Sequence, residues 1–486
     1  MLRAFLRSSA SFQEGQSKRF QSIRSSFLKW LVQIAACLLA LEAAPSFAQA
    51  PAEEQGNVYG QFTYIWHRKQ PFFAAYTNLN GSPNSLTPDK ERSFTTSATV
   101  FLGWRPWRGG ELYFVPELIS ELPLSGLRGL GGSIQNAELE KNGTVKPTIY
   151  RSRLFLRQSW GLGGETTAVE SGPMQLAGSV DSRRFVLTAG NLSIIDLFDK
   201  NAYAGDVRQQ FINMNFLTYA AYDFEADARG YTWGIAGEYY YDDWVMRAGR
   251  FIGPRHPNQL SLNFSIMNFY GDNFEVEHRH AIYGRPGKLR LLAYRNVSNS
   301  GRWDDAINAF TADPVKNATT CTGFNYGSDN AGAPDLCWAR RPNSKVGAGA
   351  SIEQNLTDDI GVFARAMKSD GRTEVFSYTS TDSSISLGAI VKGLRWSRPQ
   401  DAVGIGYARN WLSAAHVSYL KMGGIDGFIG DGTIRYRPEQ VLETYYSLNV
   451  NRHLWLTADA QRIVNPAYNA DRGPVSLYGI RLHVEF

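Results

Sequence analysis

The densest group of side chains that could bind a solute lies in one segment, LSIIDLFDKNAYAGDVRQQFIN, residues 192–213. Its carboxylates, amides and single guanidinium can form forked hydrogen bonds, and its aromatic rings offer flat apolar faces. A solvent-exposed loop rarely needs so many large apolar residues, so we predict that the segment folds against other parts of the chain. The candidate binding residues are Asp196, Asp199, Asn201, Asp206, Arg208, Gln209, Phe211 and Asn213.

A second charged group surrounds the stretch NFEVEHRH, residues 273–280. Its two glutamates resemble the carboxylate pair of a glycosidase, and its histidines could begin a zinc site. Strict alternation, however, puts both glutamates on one face of a strand, opposite Phe274, and the histidines lack a third ligand at a recognisable spacing. We therefore predict a polar wall without a metal, formed by Arg247, Glu275, Glu277 and Arg279.

Motifs of the common enzyme classes are missing from the chain. We find no HExxH, no GxSxG, no P-loop and no GxGxxG, which are the local signatures of metalloproteases, hydrolases, nucleotide-binding proteins and dinucleotide-binding proteins. We predict a protein that is not an enzyme and needs no cofactor. An enzymatic barrel of the outer membrane, such as a phospholipase or a protease, is the minor alternative.

The elements that must position these residues are strands, because apolar and polar residues alternate in many segments of the chain. The C-terminal segment SLYGIRLHVEF has one face of Tyr478, Ile480, Leu482, Val484 and Phe486, and its other face is charged or bare. This pattern fits the last strand of a soluble sandwich, with its apolar face in a core. It also fits a transmembrane barrel strand that faces lipid on one side and water on the other.

The connections favour the membrane barrel. Short turns alternate with long polar loops along the C-terminal half, as in outer-membrane barrels, where short turns face the periplasm and long loops face outward. Eleven strands between residue 229 and the C-terminus, together with five earlier ones, predict an all-β, antiparallel transmembrane barrel of 16 strands. The stretch FINMNFLTYAAYDF, residues 211–224, could add two strands and give 18. The count of 16 treats residues 192–228 as one long loop, the third external loop, which we expect to fold into the lumen and narrow it; packing on the wall for stability alone is the alternative.

The first fifty residues are typical of a cleavable export signal. A basic region precedes the apolar run LVQIAACLLALEAA, and Ala48 and Ala50 offer small residues at a cleavage site. We predict a signal peptide at 1–50, a mature barrel domain at 51–486, and the bacterial outer membrane as its location. Of the 50 basic and 45 acidic residues, removal of the signal leaves nearly equal numbers, which argues against nucleic acid as a partner.

Two cysteines remain in the predicted mature chain, Cys321 and Cys337, separated by a stretch rich in Gly, Asn and Asp. In an exported protein such a pair is most simply a disulfide that closes a surface loop. A zinc site would need further paired ligands, which the sequence does not offer.

Several long stretches resemble the OprB-type family of carbohydrate-selective porins. They include VLTAGNLSIIDLFDKNAYAGDVRQQFIN, YGRPGKLRLLAYRN, EQNLTDDIGVFARAMKSDGRTE and NPAYNADRGPVSLYGIRLHVEF, in order over most of residues 57–486. The resemblance implies a 16-stranded outer-membrane barrel that admits sugars by diffusion, without cofactor or energy source. It also implies that the candidate residues between Asp196 and Asn213 belong to a constriction loop.

We therefore expect mono- or small oligosaccharides as solutes, because sugars combine hydroxyl groups with apolar C–H faces. A general or ion-preferring porin without sugar binding is the alternative. The other expected partners are outer-membrane lipid and the barrel assembly machinery, which would recognise the strand ending in Phe486. A homo-oligomer is compatible with the sequence.

Overall fold

The computed structural model describes residues 53–140, 143–315, 323–328 and 330–486. In this part of the chain sixteen antiparallel strands close into a barrel, and two further strands form a separate hairpin. The predicted signal peptide lies outside the described residues. The strands are β1 (Gly56–Lys69), β2 (Glu91–Trp107), β3 (Gly110–Leu122), β4 (Thr148–Gly161), β5 (Thr166–Val169), β6 (Gly178–Asp181), β7 (Arg183–Leu192), β8 (Thr232–Tyr241), β9 (Trp244–Phe251), β10 (Tyr270–Ile282), β11 (Arg285–Gly301), β12 (Arg340–Asn355), β13 (Ile360–Ser369), β14 (Ser383–Gly393), β15 (Arg398–Trp411), β16 (Glu439–Asn451), β17 (Leu454–Val464) and β18 (Val475–Glu485).

The predicted count of sixteen barrel strands is confirmed, and the alternative of eighteen is wrong. No strand forms between the end of β7 and the start of β8, a stretch that the structure describes in full. The backbone of this stretch forms short 3-10 turns instead, and several of its carbonyl groups accept hydrogen bonds from side chains of the barrel wall. Strand β4 pairs directly with β7, so the β5–β6 hairpin lies outside the barrel sheet.

The first and last strands close the barrel. Strand β1 pairs with β18 over nine residue pairs, from Gln61 opposite Glu485 to Lys69 opposite Leu477. Along β18, Tyr478 and Ile480 are each 55% exposed, whereas Arg481 is fully buried. The alternation predicted from the sequence therefore separates an apolar outer face from a polar inner face. Closure matters because an unpaired backbone group in hydrocarbon costs several kcal/mol.

The two rims of the barrel differ in their connections. Two-residue turns join β8 to β9, β10 to β11 and β16 to β17, and the opposite rim carries every long loop between residues 193 and 474. The connection from β4 to β7 is an exception on the short-turn rim, because it contains the β5–β6 hairpin. This hairpin was not predicted from the sequence. Its connecting segment places Leu176 in the buried core.

Among the residues that the structure describes, the long loops contain the helices α1 (Trp303–Ala312) and α2 (Ala414–Lys421). None of the helices in the described ranges is both long and apolar enough to cross a membrane. The ring of Trp303 stacks on His416 with a centroid distance of 3.9 Å. The His416 Nδ1 atom hydrogen-bonds Asp382 Oδ2 at 3.1 Å, and its Nε2 atom lies 3.2 Å from Asp426 Oδ2. One buried imidazole thus joins three loops.

Burial alone would lower the pKa of His416, but the carboxylates of Asp382 and Asp426 override it and raise this pKa to about 9. Since the pKa is raised above its unfolded value near 6.5, the stabilisation is complete below about pH 6.5 and is lost as the pH rises through about 9. Its size is on the order of a few kcal/mol. We predict that amide hydrogen exchange in residues 412–438, corrected for intrinsic rates, accelerates over this interval.

A His416→Gln variant provides the control, because its side chain is neutral at every pH. We expect faster exchange in this variant at neutral pH and no further loosening up to pH 9. An equal alkaline response in both proteins would show that His416 does not lock these loops.

Candidate functional site

The segment between β7 and β8, residues 193–231, is called the long loop here. Its backbone N–H groups donate to carboxylates on the buried faces of distant strands. Asp199 donates to Glu275 of β10 at 2.7 Å, and Ala202 donates to Glu353 of β12 at 2.9 Å. Glu443 of β16 accepts from Ile212 at 2.6 Å and from Asn213 at 3.0 Å. Such charge-assisted hydrogen bonds are stronger than neutral ones, so the wall fixes the path of the loop.

Arginines on other strands hold the carbonyl groups of the same loop. The Arg365 guanidinium on β13 donates to the Ala204 carbonyl at 2.6 Å and lies 2.8 Å from Asp199. The Arg481 Nη1 atom on β18 donates to the carbonyls of Val207 and Gln210, both at 2.7 Å. Glutamates therefore bind the donors of the long loop and arginines bind its acceptors. The loop has matching partners around much of the barrel wall.

A cavity of about 510 Å³ lies beside the long loop. Arg208 lines this cavity; its Nε atom donates to Glu138 at 2.7 Å and its Nη2 atom donates to Glu117 at 2.8 Å. Its backbone N–H also donates to Asp206. The Nη1 atom of Arg208 forms no hydrogen bond within the described ranges. This fork therefore has donors left over that a solute in the cavity could use.

Two further arginines line the same cavity. Arg153 forms a bidentate pair with Asp196, at 2.6 and 2.7 Å, and its guanidinium lies 5.1 Å from the ring centroid of Tyr231. Burial alone would raise the pKa of the Asp196 carboxyl, but Arg153 lowers it below its ordinary value. Arg229 lies 3.3 Å from Glu140. Both arginines are thus oriented by a carboxylate before any solute arrives.

The cavity also has an apolar side, formed by aliphatic and aromatic residues of several loops and of strand β3. Charged forks and apolar surface therefore face a common space. This pairing suits a solute that has both hydroxyl groups and C–H faces. The apolar lining residues are Ile119, Leu127, Ile134, Leu139, Ile195, Met214, Leu217, Phe224, Tyr378 and Phe428.

The structure brings five of the eight candidate loop residues to this cavity, and these are Asp196, Asp199, Asn201, Asp206 and Arg208. The other three do not line it. Gln209 donates to Glu485 at 2.8 Å, and Asn213 donates to the Ser133 carbonyl at 3.2 Å. Phe211 packs against Phe216 with a centroid distance of 4.7 Å. These three residues hold the loop in place.

The predicted wall residues form a buried ion network apart from the cavity. Arg247 pairs with Glu275 at 2.7 Å and with Glu277 at 3.2 Å. Arg290 adds a contact to Glu277 at 2.9 Å, and Arg279 lies 3.2 Å from the same glutamate. As predicted, Glu275 and Glu277 face inward, whereas Phe274 is exposed on the outer face. Because the glutamates are already paired, the network stiffens the wall.

Four important cavity residues were missed in the sequence: Glu117, Glu138, Arg153 and Arg229. Glu117 and Arg153 have the signal of an inward-facing charge in a strand with an apolar outer face. Glu138 and Arg229 lie in loops and carry no local signal. They are recognisable only by their contacts with Arg208 and Glu140.

Cys337 is disulfide-bonded. Its predicted partner, Cys321, lies outside the described residues, so the pairing remains a prediction. Across the ranges that the structure describes, no three His, Cys, Asp or Glu side chains are grouped so that they could hold a metal ion.

The family model of the OprB carbohydrate-selective porins matches residues 101–486, most of the chain. The chain belongs to this family. The protein is therefore an outer-membrane channel through which carbohydrates diffuse, and the predicted family, function and location are confirmed. No curated protein sequence matches this porin significantly.

One solved structure supports the fold of this porin, and two others resemble it more weakly. Pseudomonas putida OprB superposes with a TM-score of 0.65 at 15% sequence identity, over 89% of this chain and 94% of that one. The Acinetobacter baumannii outer-membrane channel DcaP gives a TM-score of 0.46 at 9% identity, over 91% of this chain and 100% of that one. Vibrio cholerae OmpT gives a TM-score of 0.45 at 10% sequence identity, over 90% of this chain and 100% of that one. Only the first of these likenesses is strong enough to support the fold.

The charges around the cavity predict a pH-dependent ion preference. Acidic side chains outnumber basic ones in its lining. Burial raises the pKa of Glu140 to about 7 and that of Asp227 to about 6. Both carboxyls are neutral below these values and ionised above them, so negative charge in the cavity grows with pH. We predict that the cation-to-anion permeability ratio, from reversal potentials in a salt gradient, rises between about pH 5 and pH 8.

Glu140→Gln should remove the upper part of this rise. Glu165→Gln, an exposed residue between β4 and β5, removes the same charge far from the cavity and should leave the rise unchanged. A ratio that does not change with pH in the unmodified porin would contradict the assignment.

Proposed function

We propose that the long loop crosses the lumen and sets the constriction of the pore, and that mono- and small oligosaccharides pass through the cavity beside Arg208. The observation that carries this proposal is the Arg208 fork. Two carboxylates, Glu117 and Glu138, orient it, while its Nη1 group remains available to a passing hydroxyl. The adjacent apolar surface would receive the C–H face of a sugar ring.

This site would discriminate only weakly between sugars, because of how its charged groups are paired. The cavity of about 510 Å³ lies within the range of small-molecule sites, but its charged groups already have protein partners. A sugar would share these partners and would gain little net energy from each hydrogen bond. Weak binding at several positions is what diffusion requires, because the solute must leave as readily as it enters.

Fixed partners would also make the constriction rigid. Glu275, Glu353 and Glu443 hold the long loop from one set of strands, and Arg365 and Arg481 hold it from others. A loop that is tied on several sides would keep a constant opening, so size selection would not depend on a conformational change. Asp199 would act in this tether through its pair with Arg365.

The test is the single-channel conductance of the mature full-length porin in a planar bilayer, titrated with glucose and with short oligosaccharides. We expect a saturable block of the ion current. In Arg208→Gln the half-blocking sugar concentration should rise about threefold to fivefold, the scale of one lost hydrogen bond with a net value of about 1 kcal/mol or below. Open-channel current should change as well, because a charge disappears from the narrowest region.

Arg341→Gln is the matched control, since Arg341 pairs with Asp305 on the exposed side of a long loop. It should leave both the block and the current unchanged. Current that no sugar affects, with normal conductance, would indicate a general porin that only sorts solutes by size. A block that is equal in Arg208→Gln and the unmodified porin would remove Arg208 from the binding site.

A further inference from the structure

Two arginines face each other on the outer surface of the barrel. Arg68 of β1 is directly opposite Arg92 of β2, and on its other side Arg68 is opposite Tyr478 of β18. Directly opposite residues in an antiparallel pair share one face of the sheet, and Tyr478 is exposed on the outer face. Both guanidinium groups therefore point away from the lumen.

This arrangement is unfavourable without a partner. Like charges directly opposite each other destabilise an antiparallel pair. The guanidinium group of neither Arg68 nor Arg92 forms a hydrogen bond or ion pair with any part of the chain that the structure describes. In addition, the Arg68 Nε atom is buried without a hydrogen-bond acceptor. The two unpaired guanidinium groups, placed side by side, would be stabilised by an anion from outside the chain.

The height of the pair indicates the source of the anion. Arg68 is the penultimate residue of β1 and Arg92 is the second residue of β2, so both lie at the rim of the long loops. In outer-membrane barrels this rim faces outward, and the pair therefore lies near the headgroups of the outer leaflet. Two residues deeper, Trp66 is opposite both Phe94 and Ile480. These three side chains offer an apolar surface directly below the charges.

A third cation completes the group. Arg462 of β17 is opposite Ser476 of β18, two residues from Tyr478 on the same face. It donates to the Ser476 hydroxyl at 3.3 Å, and its guanidinium has further donors to spare. We call Arg68, Arg92 and Arg462 the outer arginine cluster.

We propose that the outer arginine cluster binds the phosphate group of an anionic lipid in the outer leaflet. The planar guanidinium groups match phosphate oxygens in a bidentate manner. An acyl chain of the same lipid packs on Trp66, Phe94 and Ile480. The bound phosphate neutralises the like-charge pair and accepts hydrogen bonds from the terminal guanidinium nitrogens.

Charge favours a lipid over a second copy of the chain. A two-fold contact would place the same surface patch against itself, which would bring two arginine clusters together. Three further cations face outward on the same side of the barrel wall: Arg250, Arg295 and Lys368. Arg250 pairs with Asp272, but Arg295 and Lys368 have no ion pair in the described ranges. A basic rim fits a surface rich in phosphate.

The test uses the full-length porin extracted from outer membranes and native mass spectrometry with two added lipids, diphosphoryl lipid A and its dephosphorylated form. We expect the porin to retain the diphosphoryl lipid and not the dephosphorylated one. The double variant Arg68→Gln/Arg92→Gln should lose at least about nine-tenths of this retention, since two of three charged forks are gone.

The matched control is Arg183→Gln/Arg285→Gln, which removes the same charge from exposed pairs with Asp242 and Asp358 on the short-turn rim. It should retain the lipid normally. In lipid-free detergent the cluster variant should be at least as resistant to heat as the unmodified porin, because like-charge repulsion is relieved. A folding defect in the cluster variant would instead lower its resistance to heat, so this measurement distinguishes misfolding from a specific loss of lipid binding.

Equal retention of the diphosphoryl lipid by the cluster variant would overturn the proposal. Equal binding of the dephosphorylated lipid would also overturn it, because the apolar surface alone would then explain binding. Oligomers of the unmodified porin that dissociate in the cluster variant without any lipid involvement would show that a second copy occupies this face.

Discussion

The whole molecule depends on the need to satisfy every backbone hydrogen bond where no water is available. A strand in hydrocarbon must pair on both edges, and only a closed sheet provides this for every strand. The pairing of β1 with β18 meets this need. Closure then forces the side-chain pattern, because each strand has one face toward lipid and the other toward the interior. Tyr478 and Arg481 on β18 illustrate the two faces.

Polar interiors create a second requirement, since buried charges need partners. This chain meets it by combining inward-facing acids and bases from the wall with the backbone of the long loop. Glu443 receives two N–H groups of the loop, and Arg481 donates to two of its carbonyls. A long segment with little regular structure is thereby held firmly. The same chemistry leaves a cavity in which Arg208 and Arg153 are oriented in advance by carboxylates.

Much of the fold was predictable, for physical reasons that concern single strands. The alternation of apolar and polar residues along β10 and β18 is a local property, and lipid on one side of the sheet makes it strict. The number of strands and the inward direction of Glu275 and Glu277 could therefore be predicted from it. The alternative prediction of 18 strands was wrong because the apolar content of residues 211–224 suggested two extra strands. The apolar side chains are explained by packing among loop and wall residues, such as Phe211 against Phe216 of the loop and Phe363 of the wall. The β5–β6 hairpin was missed because its strands are only four residues long.

The candidate site was predictable only in part. By itself the sequence determined the barrel, the direction of its wall residues and the segment that supplies many residues of the cavity lining, because periodicity and composition are properties of neighbouring residues. Tertiary structure alone decided which residues meet. Arg208 forms hydrogen bonds with Glu117 and Glu138, which belong to two other segments. The neighbouring loop residues Phe211, Gln209 and Asn213 do not line the cavity, and Gln209, for example, bonds to Glu485. Such contacts depend on how a long loop packs against a closed barrel, and no local pattern records distances between residues that are far apart in the chain.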